Sequence, residues 1–547
     1  QVRVAGEERW IAIEDAARYR DGLGVQPPLG VPDAFLAPAT QALDGLLARW
    51  ARTHGPFLAP DPAARWGMPV APIEDALERL HAAGTLLRGE FRPGGAEREW
   101  CDPDVLRLVR RRSLARLRRE VEPVEQTALA RFLPAWHGIA PIGQAPPAVS
   151  HSAALERLAE VVDQLAGVPI PASVLERDVL PARIPGYQPA LLDELGAMGE
   201  VAWVGRGSLG RDDGRIVLHR PGRGVAPNAG AATLAGSERP SSDRHDRIRE
   251  HLFRRGASFY REVYAAAGGG TDREVLDAMW DLVWSGEVTN DTFAPLRALR
   301  WKRPGRDAKR RPGRLTSLGP PEAAGRWSLV EPTSEGTSTT ATERAHALAN
   351  ALLERHGVVT REAVIAEGIE GGFAAAYPVL RAMEEAGRIR RGYFVEGLGA
   401  AQFALAGALE RLRTVRETEA TAPVVHLLAA TDPAQPYGAA LSWPRRGDDD
   451  RRPFQRAAGA YVALVDGTAV AYLDRGGASL QLFPAADDPD LLRHAAAALG
   501  TLVADGRIRD LVIKRLDGEP VSSSVRREDL LESGFVPGYR GLTLRRS

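Results

Sequence analysis

The sequence predicts an α+β chain in which one small module, three helices followed by a pair of strands, recurs before the texture turns to β. Three observations predict it. The first is a spacing, apolar-x-x-apolar-x-x-x-Gly behind an upstream glycine, which occurs four times. Leu77, Leu80 and Gly84 follow Gly55; Leu192, Leu195 and Gly199 follow Gly167; Met279, Leu282 and Gly286 follow Gly256; Leu380, Met383 and Gly387 follow Gly357. The paired glycines stand 29, 32, 30 and 30 residues apart. Second, each later glycine is followed by a strand-like run: TLLRGEF, EVAWVG, EVTND and RIRRGYFV. Third, after Leu405 helical periodicity gives way to period-two and continuous apolar β runs.

Helix, helix, helix, strand, strand is the order of a winged helix, so four or five tandem winged helices are expected, then a small β-barrel or curled sheet with helices. Residues 1–40 read as an N-terminal adaptor, with a strand around Trp10 to Ile13 and a helix ending near Gly24. The first winged helix falls at 41–100. A linking helix at 101–126, DPDVLRLVRRRSLARLRREVEPV, places Arg110, Arg111, Arg112 and Arg116 among apolar positions; they suit either phosphates or acidic protein surfaces. The second winged helix spans 127–220, its wing being the strands around GRGSLGRDDG, and a Gly/Ala/Ser linker follows at 221–242. The third, 243–300, leads into a basic, Pro/Gly-rich linker at 301–342 that carries Lys302 and Arg303. The fourth, 343–397, is the clearest. One helix stops at Gly357, Thr360 caps the next, Gly387 releases the third, and Arg388 to Val395 reads as a basic strand pair. There Arg388, Arg390, Arg391 and Tyr393 form a wing of the kind that lies on a phosphate backbone. Residues 398–547 hold the β region, with Asp466-Gly467 and Gly476-Gly477 as hairpin turns.

Composition sets bounds. Lys plus Arg and Asp plus Glu are 71 each, so binding to nucleic acid must rest on local patches rather than net charge. A single cysteine, Cys101, excludes a disulfide framework and fits a reducing cytoplasm. No signal peptide or membrane-length apolar run is present, so no membrane partner is expected. The chain opens QVRVAGEERW without Met and reads as a piece of something longer. There is no G-x-x-x-x-G-K-[ST], no H-E-x-x-H and no Cys/His constellation, and GRGSLG lacks the order of a nucleophile elbow. His137 and His426 read as structural. On chemistry alone the chain is a binding scaffold.

Several stretches carry a resemblance: LARFLPAWHGI, LERDVLPARIPGYQPALLDEL, WDLVWSGEVTNDTFAPLRAL, RHGVVTREAVIAEG, IRRGYFVEGLGAAQFAL, AATDPAQPYGAAL and RGLTLR. Together they resemble the C-terminal half of the bacterial large helicase-related (Lhr) DNA repair proteins. The resemblance implies a superfamily 2 ATPase core ahead of residue 1, holding ATP and Mg, with no cofactor in this part. It also implies DNA as a partner and assembly into a homo-oligomer, a tetramer, in the cytoplasm with the nucleoid. The second module with the β region is also similar to AlkZ-type DNA glycosylases, which implies excision of uracil or an alkylated base. Their Gln-x-Gln or Gln-x-Asp motif, ahead of a run like Tyr187 to Leu192, falls on Gln164-Leu165-Ala166: the first polar residue is kept and the second is alanine. Gln164, with Asp163 beside it, is the catalytic candidate on that likeness. The alternatives are therefore DNA binding with oligomerisation, base excision, or assembly alone.

Overall fold

The computed structural model describes residues 1–92, 98–109, 112, 122–144, 147, 149–221, 239–299, 320–330, 340–417, 422–447, 452 and 454–544. They divide into two units, Gln1–Glu122 and Pro123–Ser547.

The first unit begins with a hairpin, β1 (Val2–Val4) and β2 (Glu7–Arg9). This corrects the strand expected at Trp10 to Ile13. Val2 and Val4 alternate inward around exposed Arg3, and Ala5 and Gly6 both take positive φ in the turn, whereas the Trp10 side chain is 82% exposed. Helix α1 (Ala16–Leu23) ends at left-handed Gly24, as its sequence predicts. Then come α2 (Ala42–Thr53), α3 (Pro60–Trp66), α4 (Val70–Ala82), β3 (Leu87–Gly89) and β4 (Glu99–Cys101), with Phe57 bridged to Trp100. Ile73, Ala76, Leu77 and Leu80 make one stripe of α4 and meet Leu47, Ala51 and Leu86 in a shared core. Asp102 accepts from the N–H groups of Asp104 and Val105, starting the helical residues 103–109.

In the second unit α5 (Gln126–Trp136) precedes three segments of like topology. The first is α6 (His151–Leu165), β5 (Ile170–Pro171), α7 (Ala172–Val174), a π turn (Leu175–Val179), α8 (Leu180–Arg183), α9 (Pro189–Ala197), β6 (Ala202–Ser208) and β7 (Gly214–His219). The second is α10 (Asp243–Arg255), β8 (Ser258–Phe259), α11 (Tyr260–Ala266), α12 (Asp272–Trp284), β9 (Val288–Asn290), α13 (Ala294–Leu299) and β10 (Arg326–Leu329). The third is α14 (Ala341–His356), β11 (Val358–Val359), α15 (Arg361–Ala366), α16 (Gly372–Glu385), β12 (Arg390–Gly392) and β13 (Gln402–Ala404). In each the last strand lies between the other two: β5-β7-β6, β8-β10-β9, β11-β13-β12. The chain is thus mixed α+β with winged-helix domains.

Two strands lie where local pattern does not place them. β10 comes from the stretch read as a basic linker, and fully buried Trp327 holds it between β8 and β9. The partner of β12 is β13, not a strand within Arg388 to Val395. Buried Gln402 explains this: its side-chain oxygen accepts from the N–H of Phe394 and Val395 and its amide donates to the Val395 carbonyl. That turns 394–396 away to bridge Val124.

The C-terminal β region is open: of the barrel and the curled sheet that the sequence allows, the closed barrel is excluded. Strands β14 (Val425–Ala429), β15 (Tyr461–Val465), β16 (Thr468–Leu473), β17 (Ser479–Leu482), β19 (Arg515–Leu516) and β20 (Glu519–Pro520) form one sheet whose ends do not meet. A smaller sheet runs β18 (Leu511–Ile513), β22 (Gly541–Leu544), β21 (Val536–Gly538). The central strands are continuously apolar because both faces are covered. Leu427, Ala429, Tyr461 and Ala463 pack with Leu492, Ala495 and Leu499 of α18 (Pro489–Ala504). Leu428, Val462, Leu464 and Tyr472 pack on the other side with Leu129, Phe132 and Leu133 of α5 and Leu409 and Leu412 of α17 (Ala406–Glu417). A sheet buried this way gains nothing by curling onto itself. Among the described residues no helix is long and apolar enough to cross a membrane.

Candidate nucleic-acid cleft

The second unit encloses a cavity of about 1390 Å³. Its walls are the β6–β7 wing, α14 and α15, the connection between β14 and β15, and the β16–β17 turn. The wing is seated rather than free: a Cβ on Gly205 would collide with the Val283 carbonyl, and one on Gly214 with the Trp284 ring. Both glycines are therefore needed for the wing to lie against α12. Arg211, Arg215 and Arg475 line the cavity and make no side-chain ion pair among the described residues. Arg177 also lines it, 2.8 Å from Asp178 and over the Tyr461 ring at 5.8 Å, while the Tyr461 hydroxyl donates to Asp178 at 3.1 Å. Arg177 and Asp178 sit on the π turn, a departure from α geometry that is frequent at functional sites.

Behind the cavity lies a buried polar joint. Arg183 forms a two-pronged pair with Asp432 at 2.9 and 2.6 Å, donates to the Val179 carbonyl and donates to His137 Nδ1. Because Nδ1 accepts, the neutral imidazole carries its proton on Nε2. Burial, then the Arg183 charge, hold His137 well below its ordinary value. Arg355 and His356 both reach Glu367, at 2.6 and 2.7 Å. Burial pushes the Glu367 carboxyl up, but the Arg355 charge and the His356 hydrogen bond outweigh it and hold it at about 2. Arg456 donates to the carbonyls of Asp432, Gln435 and Tyr437, and burial lowers it to about 10. The loop after β14 is thereby fastened from two sides.

The residues singled out in the sequence fall in several places. Gln164, at the end of α6, donates to the carbonyls of Trp136 and Glu354 at 3.5 and 3.3 Å, and the Arg220 guanidinium is 3.0 Å from Asp163. Neither lines the cavity. Arg388, Arg390, Arg391 and Tyr393 are brought together and exposed on the last wing, with Arg391 over the Tyr377 ring at 5.8 Å. Arg112 is exposed in the first unit; Arg110, Arg111, Arg116, Lys302 and Arg303 lie outside the described residues. Read as sequence, GRGSLGRDDG is only a turn. The two aspartates between its glycines are the signal that it brings carboxylates to the cavity, through Asp212 and Asp213.

Sheets with a central last strand, each behind a set of helices, define a protein of winged-helix domains packed with an open β-sheet. Comparison with known proteins makes this specific: the winged-helix domains are those of the large helicase-related family. Family profiles of the winged-helix domain of large helicase-related proteins match residues 1–38, 124–221 and 338–424, as the second, third and fourth such domains. The chain is 44% identical over 569 residues to a Mycolicibacterium smegmatis protein described as Lhr helicase and probable uracil glycosylase, covering 100% of this chain and 36% of the relative. It is 34% identical over 578 residues to the Lhr helicase/uracil glycosylase of Escherichia coli, covering 98% and 36%. The chain thus spans about a third of the length of these relatives, consistent with a C-terminal region.

Proposed function

We propose that this chain is the DNA-binding region of an Lhr-type helicase, working with an ATPase core elsewhere in the protein. Four winged helices in tandem with the open sheet form the scaffold, and the cavity between the β6–β7 wing and α14–α15 receives single-stranded DNA. One observation carries this: Arg211, Arg215 and Arg475 face a large cavity without acidic partners among the described residues, which suits phosphates better than a solvated surface does. The exposed wing at Arg388 to Tyr393 extends the path. Assembly into a homotetramer is part of the same proposal and is tested by sizing. The decisive experiment is a salt titration of single-strand binding. Each phosphate contact adds roughly 0.7 to the slope of log K against log salt. Unchanged affinity and slope in Arg211→Glu with Arg475→Glu would overturn the cavity as the binding surface.

A second reading is excision of uracil, an activity named in both relatives. The observation favouring it here is that the cavity has room for an extruded nucleotide and contains carboxylates, Glu367, Asp212 and Asp213. Incubation of the chain with a uracil-containing strand, followed by alkali, tests it: cleavage at the abasic site supports the reading and an intact strand removes it. Within this reading Gln164→Ala tests Gln164 and Asp163→Asn tests Asp163, each abolishing product if the AlkZ-like assignment of that residue holds.

A further inference from the structure

We infer that Asp213 is the carboxylate that activates water for uracil excision. This rests on the second reading above and names its catalytic group. The carboxylates of the site are not equivalent. Glu367 has its two oxygens committed to Arg355 and His356. Asp432 is closed off by Arg183, and Asp178 by Tyr461 and Arg177. Asp163 is held by Arg220 and stands outside the cavity lining. Asp212 is exposed at the wing tip, with no side-chain hydrogen bond among the described residues to fix it.

Asp213 alone among them is both fixed and available. Its Oδ1 accepts from the backbone N–H of Ser173 at 3.1 Å and of Gly214 at 3.0 Å, so the start of α7 and the wing hold it from two directions. Its backbone carbonyl accepts from the Leu209 N–H at 2.8 Å, closing the wing tip. The next residue, Gly214, is pressed against Trp284, which keeps this end of the wing from swinging. Oδ2 has no hydrogen-bond partner among the described residues, and it belongs to a half-buried residue lining the cavity. A carboxylate with one oxygen anchored and the other free, in the field of the Arg177 charge, is arranged to accept a proton from water next to a bound nucleotide.

The step balances without a co-reactant. Water attacks C1′ of the deoxyuridine, the C1′–N1 bond breaks and its electron pair leaves on N1 of uracil. The water proton passes to Asp213 Oδ2 and is returned to the uracil anion or to solvent. Ionised Asp213 also opposes the positive charge that develops on the sugar.

The test uses the whole chain with a single strand carrying one uracil. Asp213→Asn retains an oxygen for the Ser173 and Gly214 N–H groups and removes only the base. Its excision rate should fall by roughly 100-fold or more, with strand affinity within about threefold of wild type, the expectation when only a transition-state contact is lost. Asp510→Asn removes the same charge from an exposed aspartate outside the cavity lining and should excise at nearly the wild-type rate. Excision by Asp213→Asn within about fivefold of wild type, below the range for a general base, overturns the assignment while leaving the excision reading intact. An equal loss in both variants also overturns it, since charge alone would then be responsible. Wild-type chain that releases no uracil removes the reading and this inference together.

Discussion

The segments His151–His219 and Ala341–Ala404 share one topology, one sheet order and basic wings, yet use those wings in opposite ways. In the first, Gly205 and Gly214 let the wing lie against α12 and make it a wall of the cavity. In the second, the end of the wing is tied to Val124, and Arg388, Arg390 and Tyr393 are left facing solvent. A wing rich in arginine is therefore not a uniform device. What its neighbours cover decides whether it shapes a site or presents a surface, so fold alone does not assign its role.

This contrast can be broken or sharpened by experiment. The largest effect is expected at the joint behind the cavity. Asp432→Ala leaves Arg183 buried without its carboxylate, where the pair's side chains are 0% and 2% exposed, and should cost about 3–5 kcal/mol in chemical denaturation. A loss below about 1 kcal/mol, the level of a surface pair, would mean that the first segment does not depend on this joint. Next is acid sensitivity. Burial holds His426 at about 4 against an ordinary 6.5. Its folded value is depressed, so the unfolded chain takes up the proton first. Stability is complete above about 6.5 and is lost as pH falls toward 4, on the order of 3 kcal/mol from this residue. Denaturation at pH 7 and 4.5 should show a smaller difference for His426→Leu than for wild type.

Gly214→Leu should destabilise by about 1–3 kcal/mol through collision with Trp284 and should weaken single-strand binding, because the wing is displaced. Loss of stability with unchanged binding would separate the wing from the cleft. The smallest effect belongs to the exposed wing. Arg390→Ala should leave the melting temperature within experimental scatter and weaken DNA binding less than Arg475→Ala does. The reverse order would make the outer wing the principal contact.

How much of this was legible in the sequence follows the range of the interactions. Helix ends were, because a cap needs only its neighbours: the Thr360 side chain accepts from the Ala363 N–H, and Gly84, Gly199, Gly286 and Gly387 all take positive φ between 71° and 80°. The hairpin turn at Asp466-Gly467 was legible for the same reason. Strand partners were not. β10 joins β8 and β9 from beyond a long basic stretch, and β13 is claimed by a glutamine side chain that no periodicity marks. The sequence leaves barrel and curled sheet both open, because continuous apolar strands say that both faces are buried without saying by what. The site was the least legible part. Asp213 and Arg475 stand in turns whose glycines explain them locally, and only the folded chain sets both beside one cavity.

The Arg183–Asp432 pair spans 249 positions of the chain. On a ribosome Arg183 is synthesised long before its counterion, so the helices around it must remain hydrated or borrow another anion until translation passes the loop after β14. Docking in this unit is thus deferred to a late stage of synthesis. A stop codon anywhere in between would release a product that exposes its apolar helix faces, marking it for capture by chaperones or for proteolysis.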